Sequence, residues 1–353
     1  NTIPAIVISS IGIWGFYLLI MRGVQDAAWI NTVVTIAKLV PIVVFLVICL
    51  VFLDVGVFMD NFWGGDEAHY GSLFDQVRTT MLVTVFVFLG IEGASVYSRY
   101  AARRKDVGRA TVLGFLSVLS LFASISILSY GILPKAEIAQ LQQPSVGGVL
   151  EAAVGPWGGT FIRVGLIVAV LGAYLAWQLL AADVLFAAAR DHDLPAHLAR
   201  VNRREVPENA VLWTSVFATA ILFAVQFVSE ALDFTLDLTA ALALTPLALT
   251  SAFAVKVALA RDGYQDAAPR ERTRELVVAV LSTIYTLFLV WAAGYLFLFL
   301  ACILLAPATI LYVVARRERD ARLFTGSGLA IFVAVLAFAV VGIVLLANGT
   351  VQL

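Results

Sequence analysis

Long apolar stretches alternate with short polar interruptions along the whole chain. Ten stretches approach the roughly 20 residues that a helix needs to cross a hydrocarbon core of about 30 Å. They run over 3–20, 28–53, 77–98, 110–133, 159–188, 210–229, 234–259, 275–292, 294–315 and 328–347. Backbone polar groups in lipid must be satisfied within the segment, so repeated spans of this length predict an all-α, polytopic membrane protein. The junction at 292–294 is the tightest, because Trp291 to Tyr295 must then form a very short hairpin.

Composition agrees with that pattern. Of 353 residues, 61% are hydrophobic and 13% charged, with mean hydropathy +0.96. A soluble chain of this size needs more polar surface to cover its core. The formal net charge of −1 offers no basic excess for nucleic acid. Basic residues are distributed by loop. Taking alternate loops, one set carries Arg22, the Arg99–Arg109 run, Arg190–Arg204, Lys256–Arg274 and Arg316–Arg322, which together hold 19 of the 23 lysines and arginines. The opposite loops hold only Arg78, Lys135 and Arg163, and Lys38 lies inside a span. The positive-inside rule puts the basic loops in the cytoplasm of a cell-membrane protein. The other loops are acidic, including Asp54, Asp60, Asp75, Glu137 and Glu151. Acids collect where bases are excluded, although such a vestibule would also attract cations.

The chain has no phosphate-binding G-x-x-x-x-G-K-[ST] run, no G-x-S-x-G elbow and no zinc-spaced His/Cys cluster, so neither an enzyme nor a cofactor is expected. Cys49 and Cys302 lie mid-span and read as small core residues. The most informative segment is Phe86 to Ser95, where Glu92 stands between Gly90 and Gly93 inside an apolar stretch. An intramembrane carboxylate usually marks an ion or substrate pathway, and flanking glycines let the helix break. Glu92 could exchange a proton as its surroundings alternate, or it could only tie neighbouring helices together. Trp177 lies near mid-membrane in a span rich in small residues (Gly165, Ala169, Gly172, Ala173, Ala176). Its surroundings favour core packing, with a cation–π surface as the alternative. Lys38 sits about two turns into its span; it either snorkels to the interface or places an ammonium where a metal cation would sit, and Asp183 is a potential partner. Asp233 and Asp237 share a helix face above Thr239, and Pro246 kinks the helix beyond it.

Three motifs together resemble the amino acid–polyamine–organocation carriers, in particular their basic amino acid/polyamine antiporter branch. They are Phe88–Val96 followed by a basic loop, Gly172–Ala181 running into Ala187–Asp191 and Leu194-Pro195, and the loop Arg200–Pro207. The resemblance covers essentially the whole chain. It implies a LeuT-like five-plus-five inverted-repeat fold in one transmembrane domain, 1–353. Residues 1–54 would be the end of the first repeat (family helices 4 and 5), 77–259 the second repeat, and 275–347 the C-terminal helices. On this match helices 1 to 3 are absent, which implies a fragment of a longer carrier. By resemblance, Phe86 is a gating aromatic, Gly90 and Ile91 offer backbone groups to the substrate, and Trp177 packs on its cationic side chain. Thr239 is a small polar lining residue, while Glu92 and Lys38 serve coupling or protonation. The implied activity is exchange of arginine or lysine against ornithine, agmatine or a diamine, by a homodimer in a lipid bilayer. Proton-coupled uptake and a non-transporting amino acid sensor are the alternatives.

Overall fold

A computed structural model describes residues 3–23, 28–62, 72–96, 98, 101–226, 231–261, 269–324 and 326–348. Among these residues the regular structure is helical, with no strand. The helices are α1 (Ile3–Met21), α2 (Ala28–Val51), α3 (Val55–Phe62), α4 (Leu73–Phe88), α5 (Gly93–Val96), α6 (Arg104–Ser129) and α7 (Lys135–Gln140). They continue as α8 (Ser145–Val154), α9 (Pro156–Arg190), α10 (Glu208–Val225), α11 (Ala231–Ala260), α12 (Pro269–Glu318) and α13 (Gly326–Ala347), with a 3-10 turn at Ala196–Ala199 between α9 and α10.

Nine segments among the described residues are long and apolar enough to cross a membrane. The difference from ten spans lies in α12, whose 50 residues follow one another as a single helical element. A straight helix of that length would extend about 75 Å, far beyond a hydrocarbon core of about 30 Å. The helix is interrupted at Gly294, where φ is +83° and ψ 165°. Only glycine adopts that conformation without strain, so the tight junction at 292–294 is one residue that separates two arms, 269–293 and 295–318. The first arm packs on α11, where the Ser251 and Thr286 hydroxyls lie 3.3 Å apart. The second packs on α13, with Phe299 and Phe338 ring centroids 5.9 Å apart.

Local chemistry explains several helix starts. Ser72 caps α4 reciprocally: the Asp75 N–H donates to Ser72 Oγ (3.2 Å), and Ser72 Oγ donates to Asp75 Oδ2 (2.6 Å). Asp54 Oδ1 accepts from the Gly56 and Val57 N–H groups at 2.7 and 3.2 Å to start α3. Pro156, whose missing N–H costs nothing at a first helical position, opens α9.

The 35-residue α9 is the post against which α2, α8 and α10 pack. Its glycines decide how closely. A Cβ added at Gly172 would run into Val34 of α2, and one at Gly165 into Pro41. These two contacts, seven residues apart on each helix, set an antiparallel register between α2 and α9. Phe45, Cys49 and Ile162 extend it into a buried cluster with Val149 and Leu150 of α8. A second cluster joins Ile20 of α1, Ala182 of α9 and Val206, Ala210 and Val211 around the start of α10. A third joins Ala240 and Leu244 of α11 to Leu289 of α12.

Contacts between loops bring basic segments to one end. Arg204 lies against Gly23, and its guanidinium donates to the Arg22 carbonyl. At the same end, Glu318 accepts from the Ala196 N–H at 2.8 Å. The opposite end is tied by Asn61, whose amide donates to the Tyr130 and Leu133 carbonyls at 2.6 and 2.9 Å and accepts from the Lys135 N–H at 2.8 Å. The loops grouped by charge in the sequence therefore meet in space.

The glycine contacts generate a test. Gly172→Ala should destabilise the protein by about 1–3 kcal/mol, because stiff, β-branched Val34 must be displaced. Gly114→Ala, where an added Cβ meets nothing within 4 Å, should be neutral or stabilising by up to about 1 kcal/mol through helix propensity. Thermal unfolding of both variants in detergent measures the contrast.

Candidate functional site

The span expected over 77–98 is two pieces. Helix α4 ends at Phe88, and α5 begins at Gly93. Between them Leu89 turns to an extended conformation (φ −62°, ψ 139°), and Gly90 has φ +103°. The break is therefore on the N-terminal glycine. The chain tightens through four short-range bonds, Leu89 N–H to Phe86 O (3.1 Å), Gly93 N–H to Gly90 O (3.0 Å), Ala94 N–H to Ile91 O (3.4 Å) and Ser95 N–H to Glu92 O (2.8 Å). The carbonyls of Val87, Phe88 and Leu89 and the N–H groups of Ile91 and Glu92 have no backbone partner among the described residues. In a membrane protein such groups are tolerated where they line a cavity or meet a ligand.

Glu92 has a different setting from the buried carboxylate expected. Its side chain is exposed, and its Oε2 accepts the Gly90 N–H at 2.8 Å. It folds back over the break and satisfies a donor that the unwound turn would leave unpaired. The acid between two glycines thus has a local structural task, whatever else it does.

Trp177 meets the break. A Cβ at Gly90 would stand 3.3 Å from Trp177 Cζ2 and 3.7 Å from Cη2, so the indole edge lies over the one residue that can be bare there. Trp177 is 46% exposed even though it projects from the middle of α9. One edge of the ring lies on Gly90, and part of its surface is open. Sequence alone favoured core packing, and the contact with Gly90 ties the residue to the break.

Phe86 lies one turn above the break and packs on the cluster of Ala240, Leu244 and Leu289. It joins α4 to α11 and α12; Thr239, the residue before Ala240, is half-buried on α11. The other end of α4 is held by Trp291, over whose ring Arg78 lies 5.1 Å from the centroid, with Phe74 6.3 Å away ring to ring. Phe88 packs on Phe115 of α6 with ring planes tilted by 38° and centroids 5.0 Å apart. The half-helix α4 is therefore anchored on either side while its C-terminal end is open at Gly90. Ile91 is half-buried within the turn.

Lys38 is elsewhere. The α2–α9 register set by Val34 with Gly172 and Pro41 with Gly165 puts residue 38 level with Val168. Trp177 is then nine residues away along α9, about 13 Å. The suggested pairing of Lys38 with Asp183 fails by the same measure, since Asp183 is 15 residues from Val168, about 22 Å. Both looked equally deep because each was counted from its own span end; only the register places the two helices against each other. The Asp233 side chain lies outside the described residues, so its shared face with Asp237 carries nothing further.

The backbone groups of Val87 to Leu89 were not singled out from sequence. The Gly-Ile-Glu-Gly run signals a break, but which carbonyls it frees depends on the residue at which the helix stops. Those carbonyls lie at a helix C-terminus, where the partial negative charge favours a cation. Together with the indole face, they make the surroundings of Gly90 suited to an ammonium or guanidinium group.

Gly90→Ala should cost about 1–2 kcal/mol from its left-handed backbone, plus whatever the contact with Trp177 adds. In a Trp177→Ala background the second part should vanish. A double-mutant cycle on thermal stability reads the coupling, and strict additivity would show that the indole does not press on Gly90.

Comparison with known proteins bears on the whole chain. The family model described as amino acid permease matches residues 1–306. An arginine/ornithine antiporter of Pseudomonas aeruginosa is 42% identical over 347 residues, covering 97% of this chain and 72% of its own length. An L-lysine transport protein of Corynebacterium glutamicum is 36% identical, over 96% of this chain and 70% of its own. An arginine/agmatine antiporter of Chlamydia trachomatis is 35% identical, over 89% of this chain and 65% of its own length. The chain thus spans about two thirds to three quarters of these relatives.

Proposed function

The chain belongs to the amino acid permease family, and within it we propose a secondary antiporter of cationic amino acids. Arginine or lysine would exchange against ornithine, agmatine or a diamine. The observation that carries this reading is the contact between Trp177 and Gly90 at the break in the α4–α5 span. An open indole face and the carbonyl end of a half-helix attract the same kind of group, a cation. The relatives whose names specify arginine, ornithine, agmatine and lysine point the same way.

On this proposal the substrate's cationic end lies between Trp177 and the free carbonyls of Val87 to Leu89, and Gly90 and Ile91 offer backbone groups. Phe86 and Thr239 line the side toward α11. Alternating access turns on the break, because α5 can move relative to α4 by changing few backbone angles at Leu89 to Glu92. Glu92 completes the break in one state and releases it in another. Lys38 contributes through the α2–α9 contact instead of touching the cargo. Residues 1–54 would close the first inverted repeat, 77–259 form the second, and 275–347 complete the bundle. The basic end faces the cytoplasm of the cell membrane, and two copies pair.

Counterflow in liposomes tests the exchange. Labelled arginine should accumulate when ornithine, lysine or agmatine is inside and hardly at all without them. Uptake driven by a pH gradient alone would replace exchange with proton-coupled uptake, and binding without flux would indicate a sensor. Trp177→Leu should weaken a cationic substrate about tenfold, the loss expected for roughly 1.4 kcal/mol of cation–π attraction. Unchanged affinity would return Trp177 to packing alone. Glu92→Gln keeps an oxygen that can accept the Gly90 N–H but removes the charge. A shifted pH profile of exchange with intact stability would assign the carboxylate to coupling, whereas an unchanged profile would leave it the capping task only.

A further inference from the structure

Helix α9 is gripped from three directions. At 100° per residue, Trp177 stands about 100° from Gln178 around the helix axis, and Gly172 about 120° to the other side. Gly172 meets α2, Trp177 meets the Gly90 break, and Gln178 meets α10. The contacts differ in kind. A glycine face sets how near two helices come and offers little resistance to turning, whereas a hydrogen bond has direction.

The α10 contact is a relay with one sense. Ser215 Oγ donates its single proton to the Val211 carbonyl at 2.8 Å. It therefore accepts from Gln178 Nε2, also at 2.8 Å. Both side chains are covered, Gln178 being 5% exposed and Ser215 0%. Val211 belongs to the buried cluster with Ile20 of α1 and Ala182 of α9, so the receiving end is fixed by core packing. With the amide nitrogen turned to Ser215, its oxygen faces away. Gln178 Oε1 is buried and has no hydrogen-bond partner among the described residues.

That carbonyl makes the residue informative. A buried amide satisfied at one end gains a neutral hydrogen bond and loses the solvation of its other end, two effects of similar size and opposite sign. Methionine is about as long, packs as well and leaves no carbonyl bare, while Ser215 would keep its bond to Val211. Stability gives no reason for an amide at this position, and direction does. Side-chain tips lie about 5–6 Å from a helix axis, so turning α9 by about 20° moves the tip of Trp177 by about 2 Å. That suffices to lift the indole from Gly90, where an added Cβ would stand 3.3 Å from the ring. We propose that Gln178 is a positioning residue: its bond to Ser215 fixes the rotation of α9 and so holds Trp177 on the Gly90 break. The consequence for cargo rests on Trp177 being the cation-binding surface; the consequence for the ring does not.

The seven tryptophans can be labelled with fluorotryptophan, and the fluorine resonance missing from Trp177→Phe identifies Trp177. In Gln178→Met that resonance should shift or broaden, while the unfolding temperature holds or rises. Ser215→Ala, which removes the acceptor, should disturb the same resonance. Arginine binding should weaken about three- to tenfold in Gln178→Met, the loss expected when one ordered side chain is freed. A Trp177→Leu background should abolish that loss. An unmoved Trp177 resonance in both variants would overturn the proposal. A lowered unfolding temperature in Gln178→Met would do the same, because the bond would then be an ordinary stability contact. Unmodified protein that binds no arginine would refute the antiporter reading, and the fluorine spectra would still decide whether Gln178 sets the ring.

Discussion

In hydrocarbon, a backbone N–H or carbonyl without a partner costs several kcal/mol, because no water is present to replace the missing bond. In the α4–α5 span that constraint is relaxed at the break from Leu89 to Glu92. The remaining architecture can be read as support for the break. Glu92 takes one of the exposed donors. Trp177 shields the glycine whose conformation makes the break. Phe86, Phe88 and the Arg78–Trp291 contact anchor α4 to α6, α11 and α12, so that the interruption does not unravel the helix before it.

The support reaches the break through α9. This helix carries Trp177 on one face and its close-packing glycines on another. Gly165 and Gly172 bring α2 near enough that even a methyl group would collide. The Gln178 amide donates to Ser215 Oγ at 2.8 Å in a buried contact with α10. A helix clamped by α2 and α10 can present an aromatic ring at a fixed position, and a fixed ring is what an open cation-binding surface needs, since mobility would add an ordering cost to each binding event.

Hydropathy, charge alternation and glycine spacing made most of the fold legible. The nine spans lie where the apolar runs lie, and the extra span expected from sequence is the second arm of α12 beyond Gly294. Loops assigned to one side by charge are joined through Arg204 with Arg22 and Glu318 with Ala196. The break between two glycines was legible too, because both residues permit it. Burial of Glu92 was not: a carboxylate in an apolar run suggests desolvation, but only the turn geometry shows it folding back onto its own backbone. The Lys38–Asp183 pairing failed because depth within a span says nothing of how two helices are offset.

The amino-acid sequence by itself determined class, span number and the weak point of the α4–α5 span. Those follow from transfer energies and backbone freedom, which are properties of short segments. Tertiary structure alone decided the α2–α9 register, the placement of the Trp177 edge on Gly90, and which backbone groups remain open. Those depend on steric fit between residues far apart in the chain, such as Val34 with Gly172. A periodic apolar helix fits its neighbour nearly as well when shifted by a turn. The glycines remove that degeneracy only once the two helices are side by side.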